Sequence, residues 1–148
     1  MTVTDRMDFF DALVRYETDL WNAAERELQS ETHMGLGTLQ ALRVIASHAP
    51  VARVNEVSRD LGITIGAASK FVDRLERDGL AARAPHPDDR RSSLVTLTQT
   101  GERARREGEG VLVRSLERLV GDVDLTAATT LLTRLQARLG TLAEGDAS

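Results

Sequence analysis

Two short helical segments with a glycine at their joint constrain this chain more than any other feature. They lie in VNEVSRDLGITIGAASKFVDRLERDGL, residues 54–80. Gly62 is suited to the positive φ at the end of the first helix, and Thr64 is suited to cap the second. In the second helix, helical spacing predicts a buried stripe of Ile65, Ala68, Val72 and Leu75. Two short helices around a glycine-containing turn predict a helix-turn-helix.

A β-hairpin pattern follows directly. The segments LAARA (80–84) and SSLVTLT (92–98) are predicted strands, and the connection PHPDDRR (85–91) is longer than a tight turn. A helix-turn-helix followed by such a hairpin is a winged helix, and its second helix enters the DNA major groove. Arginine at the hairpin tip suits the negative potential of a narrow minor groove, and a neighbouring aspartate can orient the guanidinium group.

The rest of the chain is predicted to be helical. Amphipathic spacing indicates helices over about 5–29, 38–47 and 99–120, with Thr98 capping the third, and Thr126 is predicted to cap a leucine-rich last helix. The predicted fold class is therefore mainly α with a small β-hairpin wing.

Composition narrows the function. The 148 residues predict one domain, and the lack of cysteine excludes disulfides, thiolate zinc sites and cysteine nucleophiles. His33, His48 and His86 are too far apart to predict a metal site. We find no phosphate loop, nucleophile elbow, cofactor motif, signal peptide or membrane span, which predicts a cytoplasmic protein that is not an enzyme and has no membrane partner.

Charge is distributed unevenly. The net charge is −4, yet residues 64–106 contain nine basic and six acidic side chains, a local balance of +3. Local field governs attraction to phosphates more than total charge does. The only net-positive block of the sequence therefore coincides with the predicted winged helix, which favours double-stranded DNA as a partner.

The wing sequence resembles that of the MarR family of bacterial transcriptional regulators. The family's Asp-x-Arg followed by Val-x-Leu-Thr-x-x-Gly is matched by Asp89, Arg91, Val95, Leu97, Thr98 and Gly101. The segment VDRLERDGL (72–80) is also similar. The resemblance implies a homodimer in which residues 1–34 and 102–144 form dimerisation helices and residues 36–101 bind DNA. It also implies a repressor that binds a pseudo-palindromic operator and responds to a ligand.

Nine residues are predicted to contact DNA: Thr64, Gly66, Ala67, Ser69, Lys70, Arg74, Asp89, Arg90 and Arg91. The recognition helix opens with TIGAAS, where family members more often have polar residues. Ala67 is able to contact a thymine methyl group, and Gly66 allows close approach. We therefore expect Ser69, Lys70, Arg74 and the wing to determine base specificity.

Two questions stay open at this point. By resemblance, Trp21, Met34 and Arg43 are candidates to line a crevice for a small effector such as an aromatic anion. The alternative is that they are a core residue, a gap filler and a surface charge. The apolar IGAA segment also leaves open a winged helix that binds protein instead of DNA.

Overall fold

The computed structural model describes residues 1–89 and 91–145. Within these ranges the chain forms six helices and three strands. In chain order they are α1 (Val3–Thr32), α2 (Leu36–Ser47), β1 (Ala52–Arg53), α3 (Val54–Leu61), α4 (Ile65–Arg77), β2 (Ala81–Pro85), β3 (Ser93–Leu97), α5 (Gln99–Val120) and α6 (Thr126–Gly145). The predicted winged helix-turn-helix, mainly α with a small wing, is confirmed.

The sheet has one strand more than predicted. All pairings are antiparallel in the order β1-β3-β2, and Ala52 of β1 lies opposite Val95 of β3. Both side chains are fully buried. No pattern in the sequence predicts β1, because two residues are too few for apolar and polar positions to alternate. The strand is defined by its pairing with β3, whose Val95 lies in the core.

The joint between α3 and α4 follows the prediction except at one residue. Gly62 has φ +65°, and the Ser58 hydroxyl donates to the Ile63 carbonyl oxygen at 2.6 Å. Ala68, Val72 and Leu75 are buried as predicted. The prediction for Ile65 is wrong, because its side chain is 57% exposed. Ile65 is the first residue of α4, and this end of the helix projects beyond the core.

A second core joins the winged helix to the long helices. It contains Ala24 and Leu28 of α1, Leu36 and Leu39 of α2, and Val111 of α5. Thr98 caps α5 as predicted by accepting from the Gly101 amide at 3.0 Å, and its hydroxyl also donates to the Gly79 carbonyl at 2.6 Å. The start of α5 is thereby fixed against the base of the hairpin.

The α6 helix extends away from both cores. It has no buried residue among those whose side chains the structure describes. Its predicted cap is wrong, because the Thr126 amide donates to Asp124 and Thr126 is the first helical residue.

An apolar groove of about 550 Å³ lies between α6 and α1 and is lined mainly by Leu13, Val14, Tyr16, Leu20, Leu132, Leu135 and Leu139. No helix in the described ranges is long and apolar enough to cross a membrane.

Candidate nucleic-acid interface

The α4 helix presents one face to solvent. Its first turn is capped by the Thr64 hydroxyl, which accepts from the Ala67 amide at 3.1 Å. With 3.6 residues per turn, Gly66, Lys70 and Arg77 lie on the side opposite the buried stripe. All three are exposed. This face is available to a partner along its whole length.

Arg83 of β2 joins the recognition helix to the wing. Its guanidinium group donates to the Ser69 carbonyl oxygen at 2.9 Å and pairs with Asp73 at 2.9 Å. It also lies 3.3 Å from the Ser69 hydroxyl and 3.4 Å from that of Ser93 on β3. The Arg83 amide donates to Glu76 at 2.8 Å, which adds a second tie to α4. Arg83 therefore sets the position of α4 relative to the hairpin.

The sequence does not single out Arg83 because the partners of its guanidinium group are 10 to 14 residues away along the chain. The available signal was an arginine inside a predicted strand, where its side chain has to find partners on a neighbouring element. Its contacts also change the role of Ser69, which is half-buried and already engaged by the guanidinium group. Ser69 is thus poorly placed for the base contact that the sequence suggested.

The two predicted cations of α4 differ in their environment. Lys70 is exposed on the outward face. The Arg74 guanidinium carbon lies 4.7 Å from the centre of the Phe71 ring, an arrangement that holds its charge along one edge of the helix. Both cations are exposed, so both are able to reach phosphate groups.

The wing tip is organised by His86. Its Nδ1 accepts from the Asp88 and Asp89 amides at 3.1 Å each, which requires this nitrogen to be unprotonated. Asp89 Oδ1 accepts from the Arg91 backbone amide at 2.9 Å. The expected pairing of the Asp89 carboxylate with a guanidinium group is absent from the described residues, and Asp89 instead shapes the backbone of the tip. Arg91 is exposed, and Arg90 lies outside the described residues.

The structure brings two of the three candidate ligand residues together. Trp21 and Arg43 line an open crevice of about 410 Å³ with Gln40, Val44, Ser47, Asp60 and Leu61. Arg43 also pairs with Glu109 of α5 at 3.3 Å. A hydrogen bond from His48, at 2.6 Å, lowers the pKa of the Asp60 carboxyl below its ordinary value. The crevice therefore combines an aromatic ring, a guanidinium group and a carboxylate that stays ionised.

Met34 is not among the residues that line this crevice. It is half-buried and packs against both hydrophobic cores, with its methyl carbon close to Gly108 of α5. The position matches the gap-filling alternative for Met34. Within the described ranges, no group of His, Asp and Glu side chains is arranged to hold a metal ion.

Sequence comparison identifies the winged-helix region. A sequence profile of the MarR family matches residues 34–92. The HTH-type transcriptional regulator YfiV of Bacillus subtilis (strain 168) is 29% identical over 90 residues, which cover 58% of this chain and 56% of that protein. The chain spans about half the length of the curated relatives that it matches. The resemblance seen in the wing sequence is confirmed.

Solved structures share the fold along almost the whole chain. Sco3205, a MarR family transcriptional regulator from Streptomyces coelicolor crystallised in complex with DNA, superposes with a TM-score of 0.80 at 23% identity and covers 98% of this chain and 89% of its own. CouR from Rhodococcus jostii RHA1, bound to p-coumaroyl-CoA, gives a TM-score of 0.74 at 20% identity and covers 93% and 94%. At these identities the likeness concerns the fold.

Proposed function

Because residues 34–92 match the MarR family profile, we propose that the chain is a cytoplasmic transcriptional repressor that binds double-stranded DNA as a homodimer. The observation that supports this most is that one winged helix carries both an exposed face on its recognition helix, α4, and an exposed arginine at its wing tip. Lys70 and Arg91 are both free to meet phosphates or base edges. Sco3205, which has the same fold, was crystallised with DNA. Residues 36–101 are the proposed DNA-binding region.

Binding to DNA is tested with the duplex upstream of this protein's own gene, by fluorescence anisotropy over a series of salt concentrations. We expect affinity to fall steeply as salt rises, because each neutralised phosphate releases counterions. A random duplex of equal length is the reference. Equal and weak affinity for both duplexes contradicts specific binding to this site, and salt-insensitive binding to a protein with none to any DNA favours the interaction-module alternative.

The wing is tested with Arg91→Ala. A homodimer loses two cations through this substitution, so the slope of log affinity against log salt is expected to become shallower by about two. Arg114→Ala is the matched control, since Arg114 is exposed on α5 and pairs with Glu31 at 3.1 Å. An Arg91→Ala slope equal to that of the control contradicts the wing contact.

The dimer is proposed to form through residues 1–34 and 102–144. Leu132 and Leu139 of α6 are 46% and 62% exposed, and Phe10 and Val14 of α1 are 57% and 46% exposed. An apolar face of this extent on two long helices is typical of an interface. A second copy of the chain is the proposed occupant of the groove between α1 and α6, which makes the two winged helices a pair suited to a pseudo-palindromic operator.

Light scattering after size-exclusion chromatography tests the dimer. We expect twice the chain mass for the wild type and a monomer for Leu139→Glu, because a carboxylate cannot be buried unpaired in an apolar interface. Arg134→Glu, on the same helix, is the control that is expected to stay dimeric. A monomeric wild type at micromolar concentration contradicts the proposal.

The crevice is proposed to hold an aromatic anion that releases the DNA. Its carboxylate would pair with Arg43, and its ring would lie against Trp21. The ligand must bind the DNA-free state more tightly to act as an inducer. Trp21 is the only tryptophan in the chain, so its fluorescence reports occupancy directly. Benzoate and its ring-substituted derivatives are the probes, and quenching without any change in DNA affinity contradicts the inducer role.

A further inference from the structure

The first turn of the recognition helix offers almost no polar side chain to DNA. Thr64 uses its hydroxyl oxygen to cap the helix, and the Ser69 hydroxyl lies 3.3 Å from the Arg83 guanidinium group. Asp73, one turn further on, pairs with the same guanidinium group at 2.9 Å. The hydroxyl groups of Thr64 and Ser69 and the carboxylate of Asp73 are therefore already engaged within the protein.

What this turn does expose is apolar. Ile65 is 57% exposed, and Ala67 is exposed as well. Between them is Gly66, at the centre of the outward face, where a Cβ atom would meet nothing within 4 Å. A β-branched apolar side chain left in water at the start of a helix gains nothing from folding alone. The turn thus forms an open notch with two apolar edges.

The one methyl group that unmodified base pairs display in the major groove is the 5-methyl group of thymine. Lys70 and Arg74, further along α4, are exposed and able to hold the helix in the groove through phosphates. Building on the proposed function, we propose that Ile65 and Ala67 recognise thymine methyl groups, while Gly66 lets the base edge approach the helix backbone. Ile65, Gly66 and Ala67 are then the specificity-determining residues of α4.

The proposal is tested on a duplex selected by the wild-type protein from a random library. Each thymine of one half-site is replaced in turn by deoxyuridine, which removes only the methyl group. Burial of one such carbon corresponds to about a fourfold change in affinity, so we expect a loss of that size at one or two thymines. With Ile65→Ala, the loss is expected to disappear at the thymine that Ile65 contacts.

Gly66→Ala gives an independent measure of the notch. The added methyl group occupies space that the base edge needs, so DNA affinity is expected to fall at least tenfold, while the unfolding temperature stays equal or rises because alanine favours a helix. Gly37→Ala is the matched control. Gly37 is likewise the second residue of its helix, α2, and has open space at its Cβ position. Its variant is expected to bind DNA as the wild type does.

The outcomes separate the two proposals. If no sequence is enriched from the library, both DNA reading and thymine recognition are overturned. If a sequence is enriched but no deoxyuridine substitution changes the affinity by more than twofold, thymine recognition is overturned and the regulator stands. A loss at particular thymines that persists unchanged in Ile65→Ala and in Ala67→Gly also overturns the assignment to these residues.

Discussion

The contact between α5 and the base of the hairpin gives the sharpest prediction, the substitution Gly101→Ala. A Cβ atom on Gly101 would lie 1.8 Å from the Leu80 carbonyl oxygen and 2.8 Å from its carbonyl carbon. Because both are backbone atoms, no side-chain rotation relieves the overlap, and the helix must move by more than about 1 Å to restore ordinary contact. The Thr98 amide donates to the same Leu80 oxygen at 3.1 Å, and the Thr98 hydroxyl donates to Gly79.

The cost follows from those two hydrogen bonds and the displaced packing. Each bond contributes about 0.5–1.5 kcal/mol, and overpacking a tight contact costs about 1–3 kcal/mol. We therefore expect the free energy of unfolding to fall by about 2–6 kcal/mol, a large part of the roughly 5–15 kcal/mol that stabilises a typical domain. The same shift separates α5 from the wing, so DNA affinity is expected to fall with it.

Two other glycines of α5 serve as internal references. For Gly110→Ala the nearest atom is the Arg114 guanidinium nitrogen at 3.6 Å, so the variant is expected to gain about 0.5–1 kcal/mol from helix propensity. For Gly108→Ala the nearest atoms are the Met34 methyl at 2.6 Å and a Leu39 methyl at 2.9 Å. These are side-chain ends that can shift, so a loss of about 1 kcal/mol is expected.

Urea unfolding at one fixed protein concentration, followed by far-ultraviolet circular dichroism, measures the series. The concentration is held constant because the stability of a dimer depends on it. The expected order of stability is Gly110→Ala, wild type, Gly108→Ala and then Gly101→Ala. The reasoning is refuted if Gly101→Ala unfolds at the same urea concentration as Gly110→Ala. The overlap with the Leu80 backbone would then have no effect on the free energy of unfolding.

Two further predictions concern ionised side chains. Arg83→Met keeps the packing of the side-chain stem and the backbone bond to Glu76 but removes the guanidinium bonds to α4, so we expect the free energy of unfolding to fall by about 1 kcal/mol while hydrogen exchange in the hairpin becomes faster. Unchanged exchange in the hairpin would show that Arg83 does not position it. Hydrogen bonds from Arg105 and Arg106 lower the pKa of Glu102 from 4.5 to about 2, so its stabilising effect is present above pH 4.5 and is lost as the pH falls towards 2. Urea unfolding at several pH values is expected to show a shallower loss of stability in this window for Glu102→Gln than for Glu107→Gln, an exposed control on the same helix, and equal slopes would contradict the role of Glu102.

Much of the candidate site follows from local sequence because it depends on short-range geometry. The cap at Thr64 and the positive φ at Gly62 involve residues three positions apart or fewer, so the pattern alone predicts them. The outward face of α4 follows from helical spacing once its buried stripe is known. Ile65 was misassigned because periodicity indicates the side of a helix on which a residue lies, while the extent of the neighbouring core decides whether that side is covered.

The sequence by itself determined the order of the six helices and the hairpin, the winged helix and the charged tip, because apolar periodicity, caps and turn residues act over a few positions. Only the tertiary structure decided which polar groups remain available to a partner. Arg83 engages Ser69 and Asp73 from another element, and His86 accepts the amides that shape the wing tip. The β1 strand and the crevice at Trp21 and Arg43 likewise depend on packing between distant segments. Contacts of this kind produce no repeating pattern in the sequence, because the free energy that favours them arises only when the helices and strands pack against each other.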